Sequence, residues 1–403
     1  MTSVSLPGPQ GHRPSVVFGH NRERGHLRFH LVLNEHVTAG FGATAFGATA
    51  RRADRGGAPE GVEGQMQIGL FHTIQWPEGS SHAERYDQAL AQMCHADTLG
   101  FDSVWLTEHH FSRHGLVSDS LMVLAHLAAR TSHVRLGTAV SVLPLHHPVR
   151  FAEAVATVDQ LSRGRLDLGI GRGYQPGEFR GFGLDIAEKH DRFEEALEVL
   201  RLLWSTNGPA SYSGKFWSFE DADPQPTPYQ QPHPPIWVAT DSAEGLARCV
   251  AEDWGVLLPQ GTSLSVTAGQ MERYGTALAD AGHGPERARV QLARAAHVAA
   301  TDERAWAQAE ASYKDFLGYA DKLRRAQAGS DPGGRSPFDL DADLRDSALF
   351  GSPDTVISRL REIREVGVER VMLFLHMGGL PHEQIMSSLD LLAAEVLPVV
   401  RGF

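Results

Sequence analysis

Residues 103–111 read SVWLTEHHF, an apolar run that turns abruptly into Glu108, His109 and His110. Val104, Trp105 and Leu106 suit a pleated, buried strand; one carboxylate and two imidazoles do not. Such an ending makes sense where the carboxyl end of a strand opens onto a polar site. That is the arrangement of a parallel sheet closed into a barrel, in which chemistry gathers at the carboxyl ends of the strands.

The rest of the chain has the matching rhythm. Short strand-like runs fall at residues 66–71, 103–107, 134–140, 166–171, 236–239, 255–258, 290–296 and 370–375. Between them, apolar residues recur at helical spacing over 82–99, 118–130, 148–162, 190–205, 242–252, 263–281, 302–320 and 353–366, with a last segment at 382–399. Strand, helix, strand in that order is what right-handed crossovers in a parallel sheet require. Eight such units over residues 66–403 predict an α/β fold, a single (β/α)8 TIM barrel. An open doubly wound sheet is the competing architecture, but FHTIQWPEGS (71–80) after the first strand lacks the GxGxxG turn for a pyrophosphate.

Three segments stand outside this rhythm. Residues 1–65 are rich in Gly, Arg and His without sustained periodicity, and predict a disordered extension. Regular patterning starts at MQIGLF, so Met66 is the expected native first residue; an intact residue 1 in the mass spectrum of protein expressed from its own upstream region would refute this. The proline-rich stretch 207–235 is expected to form a hairpin and loop over the barrel mouth. Residues 321–352, polar and broken by Gly and Pro, predict a lid between strands 7 and 8.

A net charge of −12 leaves no basic face to neutralise phosphates, which argues against nucleic acid and anionic membranes as partners. Cys94 and Cys249 are too far apart for a CxxC pair and suit a reducing cytoplasm. No apolar run approaches the roughly 20 residues of a spanning helix, and residues 1–65 lack the apolar middle of a signal peptide.

If the barrel is correct, the strand ends bring together His72; Glu108, His109 and His110; His146 and His147; Arg172; Asp241 and Ser242; and His376. Alternation along a strand turns one histidine of the His109–His110 pair to the lumen and the other to the surrounding loops. Adjacent histidines do not both turn to one ion, and no HxH or HExxH spacing occurs, so no metal site is assigned. GIGRGYQPGEF (169–179) brings glycine amides and the Arg172 guanidinium close to an anion, or simply makes a tight turn. In VATDSAEG (238–245), Asp241 or Ser242 caps a helix whose amino end could also take a phosphate.

Taken together, GFDSVWLTEHHF (100–111), VRLGTAVSVLPLHHPVR (134–150), VDQLSRGRLDLGIGRGYQPGEFRGFG (158–183), PIWVAT (235–240) and AEDWG (251–255) resemble the bacterial-luciferase-like, flavin-dependent monooxygenase family from Met66 to the C-terminus. The resemblance implies a (β/α)8 barrel that takes reduced FMN from a separate reductase. It further implies O2 addition as a flavin C4a-peroxide and oxygenation of a medium-to-large organic substrate, an aldehyde or a related compound. It places His109 in proton management beside the flavin, Ala139 and Val140 beneath the ring, and Arg172, Thr240, Asp241, Ser242 and Ala243 around the phosphate. His72, Trp76, His110 and Leu143 are the expected substrate pocket, with Glu108 behind the histidines as an acceptor. A cytoplasmic homodimer is also implied. Two departures stand out: Gly171 replaces the reactive cysteine of the luciferase catalytic subunit, and the turn after the fifth strand is longer. The alternatives are an F420-dependent hydride-transfer oxidoreductase on the same barrel and a non-catalytic, luciferase-like partner subunit.

Overall fold

Eight short runs of buried apolar residues pair in parallel and close on themselves in the computed structural model, which describes residues 19–23, 26–30, 65–327 and 344–403. The strands are β1 Gln67–His72, β2 Ser103–Leu106, β3 Arg135–Thr138, β4 Leu166–Gly171, β5 Ile236–Ala239, β6 Gly255–Leu258, β7 Val290–Val298 and β8 Arg370–Phe374. Each pairs with the next, and β8 pairs back with β1. The fold is therefore the predicted (β/α)8 barrel.

The principal helices are α1 His82–Leu99, α2 Ser120–Ala128, α3 Pro148–Ser162, α4 Lys189–Ser205, α5 Ala243–Ala251, α6 Leu264–Asp280, α7 Asp302–Gln327, α8 Pro353–Glu365 and α9 His382–Leu391. Local chemistry sets their entrances. The hydroxyls of Ser81, Ser242, Ser263 and Ser352 accept backbone amides of the first turns of α1, α5, α6 and α8.

Large side chains fill the amino-terminal part of the lumen. Trp105 and Trp237 meet edge to face with ring centroids 5.6 Å apart. Beside them Arg135 donates to both oxygens of Asp167 at 2.6 and 2.8 Å, and Trp237 Nε1 donates to Asp167 at 3.3 Å. Free polar groups are left to the carboxyl end.

Four details beyond the sequence reading have physical causes. Strand β3 stops at Thr138 instead of continuing to 140, and resumes as Ser141–Val142 beside Ile170 and Gly171. The interruption fits over the two glycines of β4, Gly169 and Gly171: a Cβ on Gly169 would lie 1.8 Å from the Thr138 carbonyl oxygen. The predicted hairpin exists as Ala210–Ser213 and Ser218–Ala222, with its turn seated on the first turns of α4. Glu195 of α4 accepts the amides of Lys215, Phe216 and Trp217, which fixes the hairpin along the outer flank of that helix. Gln230 then donates to Asp159 and to the Leu166 carbonyl at the start of β4, because the chain leaving α4 must return to the amino end of the barrel before β5 begins.

The third is at the expected lid. Helix α7 runs past the predicted end at 320 to Gln327, and beyond the gap Leu344–Ser347 is helical while Leu349–Gly351 pairs parallel to β7. Residues 328–343 of that expectation lie outside the described residues. The fourth is at the C-terminus, where α9 gives way to a π turn at Leu392–Val396 and a short helix Leu397–Val400. Pro398 has no N–H to continue the ladder.

Contacts divide the chain into residues 1–54 and 55–403. In the first unit, Gly19–Glu23 pairs antiparallel with His26–His30 inside the stretch expected to be disordered. The rest of that expected extension, through residue 64, lies outside the described residues.

Candidate active site

Glu108, two residues beyond the end of β2 at Leu106, organises one side of the mouth. Its carboxylate accepts His110 Nε2 at 2.9 Å, His146 Nε2 at 2.9 Å and the Val142 amide at 3.1 Å. Burial pushes this carboxyl up, but the hydrogen bonds from His110 and His146 prevail and hold its pKa at about 2. Burial pulls His146 down in turn, and the bond to Glu108 outweighs it, so His146 titrates above the ordinary range. Glu108 thus ties the loop after β2 to the loop after β3. His147 is exposed ahead of α3 and takes no part.

His109 faces a second carboxylate. Its Nδ1 lies 3.1 Å from Glu178 Oε1 and 3.1 Å from the Gln175 amide nitrogen, delivered after β4 by the short helix Pro176–Gly181 and the residue ahead of it. Glu178 Oε1 also accepts the His110 amide at 3.0 Å. An ionised carboxylate only accepts, so Glu178 favours the tautomer with the proton on Nδ1 and the lone pair on Nε2; in that tautomer the Gln175 amide nitrogen is a neighbour of Nδ1 and not its donor. His114 packs edge-on to His109, centroids 4.5 Å apart, and stacks on Phe316 of α7. Burial, with His109 nearby, drives His114 well below the ordinary range.

Between these groups the backbone bends at Ala139 and Val140, and the peptide joining them is cis. A Cβ on Gly171 would lie 2.5 Å from Val140 Cγ2, so the bend sits directly against β4. Next along the rim, Arg172 is half-buried, 3.2 Å from His190 Nδ1. Thr240 is buried, while Asp241, Ser242 and Ala243 are exposed at the amino end of α5, with Ser242 and not Asp241 as the cap.

The wall of β8 and β1 differs. His72 and His376 pack with centroids 5.4 Å apart, both fully buried. Arg85 Nη2 donates to His376 Nε2, His376 Nδ1 donates to Gln92 Oε1 at 2.9 Å, and Gln92 Nε2 donates to His382 Nδ1 at 2.9 Å. Burial, reinforced by Arg85, lowers His72 to about 3 and puts His376 well below the ordinary range. Trp76 lies on the same loop, its Nε1 donating to the Ser80 carbonyl at 2.9 Å under the Arg113 guanidinium. Leu143, expected on the pocket wall, is packed wholly into the core.

Buried polar atoms without a protein partner occur at this end, among them His72 Nδ1, Thr73 Oγ1, Thr107 Oγ1, Gln175 Oε1, Gln260 Oε1 and His297 Nδ1, as they also do on helices away from it, such as Trp204 Nε1 and Gln270 Oε1. Native proteins rarely leave such atoms unsatisfied, so those at the mouth fit a ligand with a polar rim. A flavin has that rim, a flat ring that the Ala139–Val140 bend can carry, and a phosphate suited to Arg172 and the start of α5. A cleft of about 640 Å³ beside Met271, Tyr274, Glu365 and Arg370 lies at the opposite end of the barrel, away from these groups. Among the described residues no three His, Cys, Asp or Glu side chains are placed to hold a metal, and no helix is long and apolar enough to cross a membrane.

Glu178, Gln175, His114 and Arg85 are the site residues that sequence reasoning passed over. Glu178 and Gln175 fall inside the quoted GRGYQPGEF motif just past β4, so the barrel rule could have found them. Arg85 sits in the first turn of a helix, where its sequence context is that of any solvated residue.

Comparison with known proteins agrees with the geometry. Residues 66–370 match the family model for luciferase-like monooxygenases. The oxygenase component of a flavin-dependent trigonelline monooxygenase from Acinetobacter baylyi is 28% identical over 348 residues, 83% of this chain and 95% of that protein. Limonene 1,2-monooxygenase from Rhodococcus erythropolis is 27% identical over 349 residues, 84% and 88% of the two chains. The crystal structure of the monooxygenase RslO1 from Streptomyces bottropensis superposes with a TM-score of 0.73 at 26% identity, covering 83% of this chain and 99% of that one. The chain therefore belongs to the luciferase-like monooxygenase family, flavin enzymes that incorporate oxygen.

Proposed function

We propose that this protein is the oxygenase of a two-component system, taking reduced FMN from a separate reductase and using O2 to oxygenate a medium-to-large organic substrate. The observation that carries this reading is the joint placement of the Ala139–Val140 bend over β4 and the His109–Glu178 pair beside it. The bound flavin would supply the electrons that activate O2. Ala139 and Val140 would support its ring through backbone, and Arg172, Thr240, Ser242 and the amides opening α5 would hold its phosphate. Asp241, exposed and anionic, would turn away from that phosphate. His109, with its Nδ1 proton committed to Glu178, would hold or move one proton through Nε2. His72, Trp76 and His110 would face the substrate. The named activity of the trigonelline relative as an oxygenase component supports the division of labour with a reductase.

Titration of the purified protein with FMN and with F420 tests the cofactor, and a substrate screen with a flavin reductase, reading product against H2O2, tests the reaction. Tight FMN binding with product formation is expected. Preference for F420, or a lack of O2 consumption with reduced FMN, would overturn the proposal in favour of hydride transfer or a non-catalytic partner. The same reading includes a cytoplasmic homodimer, checked by sedimentation of the native protein.

A further inference from the structure

The wall of β8 and β1 holds a buried positive charge with no ion-pair partner among the described residues; the counter-charge that acts on it, Glu84, is its chain neighbour and is bonded through Gln88. Arg85 is only 7% exposed. Its Nε donates to the Gln75 carbonyl at 3.0 Å, its Nη1 to Gln88 Oε1 at 3.1 Å, and its Nη2 to the Gly378 carbonyl at 3.3 Å and to His376 Nε2. Every one of these acceptors is neutral. Among the described residues no carboxylate lies within ion-pair distance of this guanidinium, unlike Arg135, which binds Asp167 in the same barrel. Burying a charge among neutral partners is costly, and the cost is recovered when an anion arrives.

The neighbours of Arg85 show where that anion would sit. His376 has both ring nitrogens engaged, so it has no group to offer. His72, packed against it, has a buried Nδ1 with no partner, and the adjacent Thr73 Oγ1 is likewise buried and unpartnered. Two potential donors at the end of β1 therefore stand idle, and His72 among them lies in the field of Arg85. In the ring of eight strands β8 and β1 lie across the mouth from β4 and β5, whose rim carries Arg172 and the start of α5. If the flavin phosphate takes that rim, this wall is left to the substrate.

We propose that the β8–β1 wall receives a carboxylate carried by the substrate, with His72 and Thr73 donating to its oxygens in the field of Arg85. The inference rests on the flavin reading only for the identity of the occupant as substrate; the anion preference belongs to the wall itself. A neutral amide of the same shape would find the donors but not the charge.

Benzoate and benzamide are the matched probes, measured by calorimetry on FMN-loaded protein so that Arg172 is occupied. Benzoate is expected to bind at least about tenfold more tightly than benzamide. Arg85→Gln should bring the two affinities together while FMN affinity is kept, Arg85→Lys should retain the preference, and His72→Phe should weaken benzoate more than benzamide. A merely structural Arg85 would alter both probes alike. Circular dichroism monitors folding, and if Arg85→Gln does not fold, Arg85→Lys and His72→Phe decide. Equal affinities, no benzoate binding up to about 50 mM, or a preference that survives Arg85→Gln would each overturn the proposal. Failure to bind FMN, together with a benzoate preference in flavin-free protein that Arg85→Gln abolishes, would instead strike the flavin reading and leave the anion receptor standing.

Discussion

Two groups of histidines share the barrel mouth under opposite electrostatics. His110 and His146 flank the buried Glu108 carboxylate, which raises His146 above its ordinary range. His72 and His376 stand across from them beside Arg85, where burial and that cation lower His72 to about 3. Residue type is the same in both groups, so the difference lies in burial and in the neighbouring charge. One carboxylate outweighs burial and lets His146 hold a proton, while on the other side burial, reinforced by one guanidinium, keeps His72 and His376 neutral. His109 lies between, on a carboxylate of its own.

The comparison can be broken most severely at Glu108. Glu108→Ala removes the common acceptor of two imidazoles and the Val142 amide, and is expected to cost about 3–5 kcal/mol of stability in urea denaturation. An effect below about 1 kcal/mol would mean that the network is dispensable. His109→Ala is next: FMN affinity should be unchanged, while product formed per FMNH2 oxidised falls about 100-fold in favour of H2O2. Unchanged coupling would remove His109 from the chemistry. Glu178→Gln should have a smaller effect of the same kind, about tenfold, since the imidazole stays but loses its orienting acceptor.

Acid sharpens the contrast between the two walls. His72 has a folded pKa of about 3 against an ordinary 6.5, so the unfolded chain takes up the proton first. Its share of stability is therefore lost as pH falls from 6.5 towards 3, by about 1.4 kcal/mol per pH unit. His376 and His114 act in the same direction. Glu108, held at about 2 against an ordinary 4.5, adds a further loss only as pH falls from 4.5 towards 2. His146 runs the other way, stabilising below 6.5 and ceasing to do so as pH rises through its elevated folded value. Between pH 6.5 and 4.5 the carboxylate-free wall should dominate, and His72→Phe should flatten the measured slope by one proton. The smallest expected effect is at Gly171→Ala, about 1 kcal/mol by thermal denaturation, since Val140 Cγ2 must shift to admit the new methyl group.

The barrel was legible because β1 to β8 are short, buried on both faces and separated by helices whose apolar spacing is unambiguous. The polar ends of those strands then located the mouth. Pairings across loops were not legible. Nothing in the letters of Glu178 assigns it to His109 or of Glu108 to His146, because 69 and 38 residues separate these partners and only the closed ring brings them together. The hairpin at 210–222 was read correctly as a hairpin, but its seat on α4 was not legible, since Gly/Pro content reports turns and says nothing about which helix flank accepts them. Arg85 was invisible for the same reason as Glu178: its meaning comes from the lack of an ion-pair partner in space among the described residues.

The close approach of Val140 to Gly171 also constrains how such a mouth can change over generations. A relative with a thiol at the position of Gly171 needs room that Val140 occupies here. A lineage moving from one state to the other would therefore cross most easily by first trimming residue 140 and only then acquiring the sulfur. The reverse order passes through a crowded intermediate, so this single van der Waals contact sets a direction of travel between chemistries that share one barrel.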